Sequence, residues 1–366
     1  MERAYEWKKE IPFNRRGESV ETWTVKVEGR SASFEIEACY GKRLDFGSIK
    51  REWPFQREID FAREKIRYFE RDGDLVKASS CPVCSRGIQD TVRLVRICNV
   101  DYLQCKGCTH VYASVFPSPD LMERYYRENA VGDDYYLNPE EIELRLKEIY
   151  APKARWILET YEKLFGKKPS TILDIGAGSG HFLYACKQLG MKVSGMELDR
   201  AFVAWCKQQF GIELCESNER LQGKTFDIVC SFNVIEHTAD PHAFVSDYKS
   251  FMHEGSMAVL ETPKVNSFTT WIQQVFPDEP RGHLMPFEHS HLFTDGSLAT
   301  LLYVNGLAVR RIWYFGQDMA ELILRIGSEL KGESGTLLSR LFNPLQEAID
   351  VSHHSDCMLV AATPWR

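Results

Sequence analysis

The sequence has no apolar run approaching the roughly 20 residues that a helix needs to cross a bilayer. Its opening, MERAYEWKKE, has no apolar signal core and too many acids for a transit peptide. A soluble, cytoplasmic, globular protein is the expectation, and no membrane partner. Proline and glycine are sparse: 15 and 24 of 366 residues exclude a collagen-like or globally disordered chain. Repeats and low-complexity segments are absent as well. Nor is there a concentrated basic surface. Residues 1–80 carry 17 Lys/Arg against 16 Asp/Glu, residues 81–115 carry 4 against 2, and the rest carry 24 against 34. Binding a phosphate backbone needs clustered cations, so a small-molecule partner is expected rather than nucleic acid. Eleven cysteines, an odd number, argue against a fully paired secreted disulfide framework.

The chain is long enough for one large domain with an appendage, or for two domains. Within residues 1–80, ETWTVKVEG and SASFEIEA alternate in period two around Gly29-Arg30, which predicts an antiparallel hairpin. EIDFAREKIRYFERDG then places apolar residues at helical spacing before a glycine stop. This extension carries no recognisable chemistry, and a cover or an oligomerisation element is the plain expectation. Residues 81–115 hold two cysteine pairs, and residues 116–168 read as a helical lid or linker, with the long run interrupted at Pro152.

From residue 169 to the end, short apolar runs alternate with helical patterns. STILDIG, MKVSGMEL, GIELC, FDIVCSFNV and SMAVLET read as strands separated by helices, and GLAVRRIWYF and DCMLVAATP as late strands. Such alternation predicts an α/β fold, a doubly wound Rossmann-like sheet with ligands outside the carboxyl ends of its strands.

ILDIGAGSGHF sets Asp174, Gly176, Gly178 and Gly180 at the end of the first of these strands. Glycines there let a ligand approach the main chain closely. Glu197 ends the next strand, where a carboxylate can accept hydrogen bonds from both hydroxyls of a ribose. A dinucleotide site asks for G-x-G-x-x-G, but His181 stands where its third glycine would be. An acid immediately before the loop would repel a pyrophosphate and suits a ligand bearing an ammonium and a sulfonium.

CPVC and CKGC place Cys81, Cys84, Cys105 and Cys108 as two C-x2-C pairs twenty residues apart. Four thiolates saturate tetrahedral Zn²⁺ and leave no open position for catalysis, so a structural zinc ribbon is expected. Iron in the same sulfur site and a redox-active pair are the alternatives.

Together, D-I-G-A-G-S-G, Glu197, FDIVCSFNVIEHTADP and HLFTDGSLATLLYVNGL resemble the class I S-adenosylmethionine (SAM) methyltransferases over about residues 170–310. The resemblance implies SAM contacts from Asp174, Gly176, Ala177, Gly178 and Gly180, from Glu197 and Leu198, and from Asn233. It places the adenine at the loop after GIEL, where Cys215, Glu216 and Ser217 stand without the usual aspartate. In NVIEH, Glu236 and His237 are expected beside the transferred methyl; a related Glu-x-x-Glu-His pattern binds a divalent metal, but here Asn233 replaces the first acid. RGHLMPFEHSHLFT supplies His283, Glu288, His289 and His291, of which His289 and His291 would share one face of an extended segment and offer a base.

The ribbon sharpens the resemblance. CKGCTHVYASVFPSPDLMERYYREN is similar to the zinc ribbon and Tyr-rich helix of the sugar and natural-product methyltransferases, where they form a lid. Tyr125, Tyr126, Tyr135 and Tyr136 would then be available to line the cleft. The acceptor implied is a small polar metabolite, a sugar or sugar nucleotide methylated on oxygen or carbon, by a protein that could be oligomeric. An RNA methyltransferase gripping its substrate through the ribbon, and a SAM-binding protein without turnover, are the rival readings.

Overall fold

The computed structural model describes residues 5–10, 18–27, 29–41, 55–128, 137–327 and 334–365. The extension supplies β1 (Tyr5–Glu10), β2 (Glu18–Val27), β3 (Arg30–Tyr40) and helix α1 (Phe55–Asp72). The cysteine segment supplies β4 (Leu75–Lys77), β5 (Thr91–Ile97), β6 (Val100–Cys105), β7 (Val111–Ala113) and β8 (Val115–Pro117). Helix α2 (Pro119–Glu128) follows. A short α turn (Ile142–Arg145) and a π turn (Leu146–Tyr150) lead into α3 (Ala151–Phe165). Pro152 thus sits in the first turn of α3, where its missing N–H costs no helical hydrogen bond.

Strand and helix then alternate: β9 (Thr171–Ile175), α4 (His181–Gln188), β10 (Lys192–Met196), α5 (Arg200–Phe210), β11 (Phe226–Phe232) and α6 (Pro241–Ser250). They continue as β12 (Met252–Pro263), α7 (Phe268–Val275), β13 (His291–Leu292), α8 (Asp295–Val304) and β14 (Leu307–Phe315). Helices α9 (Asp318–Gly327) and α10 (Ser334–Val351) precede the last strand, β15 (Cys357–Pro364). Among the described residues no helix is long and apolar enough to cross a membrane.

Among the described residues nine strands form one sheet, in the order β1-β2-β3-β14-β15-β12-β11-β9-β10. Strands β10, β9, β11 and β12 are mutually parallel. Ile172, Leu173, Ile228, Val229 and Cys230 are fully buried, as the continuous apolar runs of a sheet covered on both faces require. From β9 the chain passes to β10 on one side and β11 forms on the other, so the carboxyl ends of β9 and β11 are the switch point where such sheets take ligands. The expected strand at GIELC is reduced to a single parallel bridge, Met196 to Cys215. Ile212 and Leu214 are buried under the sheet edge, and only Cys215 reaches it, through its bonds with Gly195 and Glu197.

The hairpin around Gly29-Arg30 forms, with Val27 opposite Arg30. It continues the main sheet, because β3 runs parallel to β14 from Arg311–Glu37 to Tyr314–Tyr40. Lys9 fixes it to the opposite layer: its Nζ lies 3.0 Å from Asp295 and 3.3 Å from Glu21, all three buried. Burial alone would raise the Asp295 carboxyl, but Lys264 and Lys9 hold it down at about 2. Helix α1 buries Ile59, Ala62, Ile66 and Phe69, one stripe at spacings of three and four. Each large member of that stripe contributes roughly 1.5–3 kcal/mol. The stripe lies on the ribbon, where Ile66 and Phe69 join Ile97, Tyr102, Val111 and Phe287 in one cluster.

Candidate functional site

A cavity of 680 Å³ opens at the carboxyl ends of β9, β11, β12 and β14. Its size falls in the range of roughly 300–1,000 Å³ usual for ligand sites. Asp174, Gly176, Ala177 and Gly178 line one end. Asn233, Glu236 and His237 line the middle, and His283, Glu288 and His289 the other end. Gly180, Glu197, Leu198 and His291 do not line it.

At the glycine end Asp174 is 1% exposed and its Oδ1 has no hydrogen-bond partner. Burial pushes its carboxyl up to about 8. A buried carboxylate with one orphaned oxygen in a cavity wall fits a cationic ligand group, which would return it to the charged form. Glu197 accepts from the N–H of Gly178 at 2.7 Å and from those of Leu198 and Asp199 at 2.7 and 2.9 Å. The acid of the second strand therefore fixes the loop above it. Gly180 acts beneath the loop: it opens α4 at φ +79°, and a Cβ there would lie 2.2 Å from the Cys206 sulfur. Of the proposed adenine loop, Glu216 pairs outward, 3.3 Å from Arg200.

Beside Asp174 sits an ion pair that sequence inspection missed. Lys153 Nζ lies 2.6 Å from Glu261 Oε2, both buried, and 4.7 Å from the centre of the Phe232 ring. Asn233 donates to the other oxygen of Glu261 at 3.3 Å and holds φ +53°, unusual for a non-glycine residue. The only local signal for Lys153 was a lysine on an otherwise apolar face of α3. The adjoining π turn brings Ile149 and Tyr150 to the same end, with Arg145 just before it, and such turns recur at functional sites.

At the far end the rings of His237 and His289 stand 4.8 Å apart. His237 Nδ1 lies 2.8 Å from the Glu288 carbonyl, and His289 Nδ1 lies 2.8 Å from that of His283. A carbonyl only accepts, so each Nδ1 carries the hydrogen and each Nε2 keeps its lone pair. Burial holds His237 down at about 3 and lowers His289 as well, so both rings are neutral near pH 7. Glu236 is fully buried; Thr262 donates to its Oε2 at 3.1 Å, while its Oε1 has no partner. Burial pushes its carboxyl up to about 8. One oxygen of Glu236 and one nitrogen each of His237 and His289 lie within 4.8 Å of one another, a donor set that suits a divalent transition metal as well as a proton acceptor.

His289 and His291 do not share a face. The His289 N–H closes a turn onto Met285 at 3.0 Å, and extended structure begins only at β13. His291 pairs with Tyr112 of β7 and is fully buried, its Nδ1 3.2 Å from His110 Nε2. Among the tyrosines, Tyr126 lines the cavity, whereas Tyr125 packs 4.7 Å from the Phe69 ring and donates to Glu288 at 3.3 Å. Tyr135 and Tyr136 lie outside the described residues.

The four ribbon sulfurs are buried and lie within 4.8 Å of one another, with Cys81–Cys108 and Cys84–Cys105 at 3.5 Å. Sulfurs about 2.3 Å from a tetrahedral zinc are roughly 3.8 Å apart, so the set fits such an ion. The two knuckles repeat one geometry. Cys81 and Cys105 each donate to the carbonyl five residues on, at 2.7 and 2.9 Å. Ser85 and Thr109, next after the second cysteine of each pair, take φ +59° and +63°.

Residues 147–312 match a family model described as a methyltransferase domain. That part of the chain is similar to methyltransferase domains. Similar curated proteins include a ubiquinone biosynthesis O-methyltransferase of Parvibaculum lavamentivorans, 35% identical over 98 residues, 25% of this chain and 39% of that protein. A probable S-adenosylmethionine-dependent methyltransferase of Mycolicibacterium smegmatis is 27% identical over 165 residues, 43% of this chain and 61% of that protein. The chain thus spans less than two thirds of the length of these relatives. Among solved structures, magnesium protoporphyrin IX methyltransferase of Synechocystis PCC 6803 is 12% identical with a TM-score of 0.44, the match covering 68% of this chain and 100% of that one. The matched segment begins in the π turn ahead of α3 and ends in the middle of β14, so both Lys153 and the histidine segment fall inside it.

Proposed function

We propose that the protein transfers a methyl group from SAM to a small polar metabolite, a sugar or sugar nucleotide, at oxygen or carbon. One observation carries this reading: a single cavity joins a buried carboxylate with one unpartnered oxygen, under a glycine loop, to a pair of neutral imidazoles. Asp174 would meet the ammonium of SAM; Lys153, paired with Glu261, and Arg145 are the cations that line the same end. Bound SAM supplies an electrophilic methyl on a sulfonium, whose displacement leaves a neutral thioether. The chain's part is to hold an acceptor lone pair in line with that methyl and to take the acceptor's proton. His289 Nε2 is the proposed proton acceptor, with Glu236 and His237 organising the acceptor beside it. His291 is assigned instead to the ribbon sheet, which it fastens to the histidine segment. The four ribbon thiolates are proposed to hold one structural Zn²⁺.

Labelled-methyl SAM incubated with fractionated metabolites, and separately with RNA, tests the reading. Label in a small polar product is expected; label in RNA refutes the acceptor class, and no formation of S-adenosylhomocysteine (SAH) in any fraction refutes the activity. His289→Ala should lower turnover about 100-fold or more with SAH affinity little changed. Unchanged turnover refutes the base.

A further inference from the structure

Two residues of the N-terminal extension join the wall opposite the glycine loop. Glu58 and Lys65 stand seven residues apart on α1, flank its buried stripe, and line the cavity. Lys65 Nζ lies 2.8 Å from Glu288 Oε1, the oxygen to which Tyr125 also donates. Glu58 bonds Arg281, whose other arm lies 3.0 Å from Glu321 of α9. Arg281 and Glu288 are 4% and 6% exposed, so both pairs are built into the wall rather than lying on its surface.

The chemistry of this end is uniform. Glu58, Glu288, Glu321 and Asp356 bring four carboxylates against the two cations Lys65 and Arg281. The unpartnered Oε1 of Glu236, fully buried, lines the same space. Phosphate and carboxylate sites present uncommitted Arg, Lys or backbone N–H groups; here both cations already carry carboxylates. Alternating carboxylate, guanidinium and ammonium groups instead match adjacent hydroxyls, each of which both donates and accepts.

We propose that α1 is the acceptor-selecting wall of the site, that Glu58 and Lys65 are its specificity-determining residues, and that the acceptor is a polyhydroxyl compound presenting no anionic group to this end. The proposal rests on the methyl-transfer reading and narrows its substrate: a phosphate or nucleotide on the acceptor must point out of the cavity. Lys65 also acts as a positioning residue, since Glu288 adjoins His289 and its carbonyl holds His237.

The test uses the full chain and four probes: SAH alone, then, at saturating SAH, a neutral hexose, the corresponding 2-amino-2-deoxyhexose and the hexose 6-phosphate. Binding is read by calorimetry or ligand-observed NMR. Wild type should bind SAH, and should bind the hexose and the amino sugar at least tenfold more tightly than the phosphate. In Glu58→Gln and Lys65→Met, hexose affinity should fall about tenfold while SAH affinity stays within twofold and certifies the fold; Lys65→Arg should recover most of the loss. Glu58→Gln should also narrow the preference for the amino sugar over the phosphate. Unchanged hexose binding in both variants, preference for the phosphate, or binding of no hexose by wild type overturns the proposal. Failure of wild type to bind SAH overturns the underlying reading as well, and so separates the two failures.

Discussion

Two glycines of the same loop should respond to alanine in opposite ways. Gly178 has φ +52° and nothing within 4 Å of the place a Cβ would take, and it lines the cavity. Gly180 has φ +79°, and its Cβ would sit 2.2 Å from Cys206 Sγ and 3.1 Å from Cys206 Cβ. Cys206 is fully buried and cannot give way cheaply. Left-handed backbone costs alanine roughly 1–2 kcal/mol at either position. Gly180→Ala adds an overpacking cost of about 1–3 kcal/mol, so its total is about 2–5 kcal/mol, against about 1–2 kcal/mol for Gly178→Ala. Ligand affinity should run the other way. The Gly178→Ala methyl enters the space proposed for SAM and should weaken SAH at least tenfold, which is about 1.4 kcal/mol. Gly180→Ala, packed beneath the loop, should weaken it less wherever the protein remains folded. Urea unfolding with SAH titration measures both. A second variant isolates the clash: Cys206→Ala in the Gly180→Ala background removes the sulfur and should recover part of the overpacking cost while the backbone cost stays. Equal stability losses at the two positions, no recovery in the double variant, or unimpaired SAH binding by Gly178→Ala would refute the reasoning.

Metal analysis of the purified protein should find one zinc per chain, and Cys84→Ser should lose it together with several degrees of melting temperature. Because β7 pairs with β13 and the Ala113 N–H bonds Ser290 at 3.0 Å, metal loss should impair turnover more than SAH affinity; a metal-free protein of full stability would refute the ribbon assignment. SAH binding should also depend on pH through Asp174. Its carboxyl stands at about 8 in the free protein because burial favours the neutral form, so binding a cation beside it below that pH releases a proton. Affinity should therefore rise with pH, by up to about tenfold per unit, and level off near 8. A flat profile, or the same slope in Asp174→Asn, would refute the assignment.

What could be read from the sequence was encoded locally. The run from Asp174 to Gly180 is contiguous, Glu197 follows one helix later, and each cysteine knuckle spans four residues, so spacing alone stated their geometry. The apolar runs of β9 and β11 likewise needed no partner to be recognised. The acceptor end was not legible, because its contacts join distant segments. Lys65 meets Glu288 across 223 residues, and β3 finds β14 across 274. The alternation of His289 and His291 misled because it presumed extended chain where Phe287, at φ +71°, and the Met285 turn bend it.

The same division explains how one domain can serve a particular acceptor. The glycine end is made by the sheet's own loops together with α3 and the turns that precede it. The segment from Arg281 to His291 is gripped from outside: α1 holds Arg281 and Glu288, β6 holds the His289 carbonyl through Tyr102 at 3.3 Å, and β7 holds Ser290 and His291. The residues proposed to touch the acceptor thus take their positions from the extension and the ribbon. A change in either accessory piece should alter which acceptor is bound while leaving the grip on SAM intact.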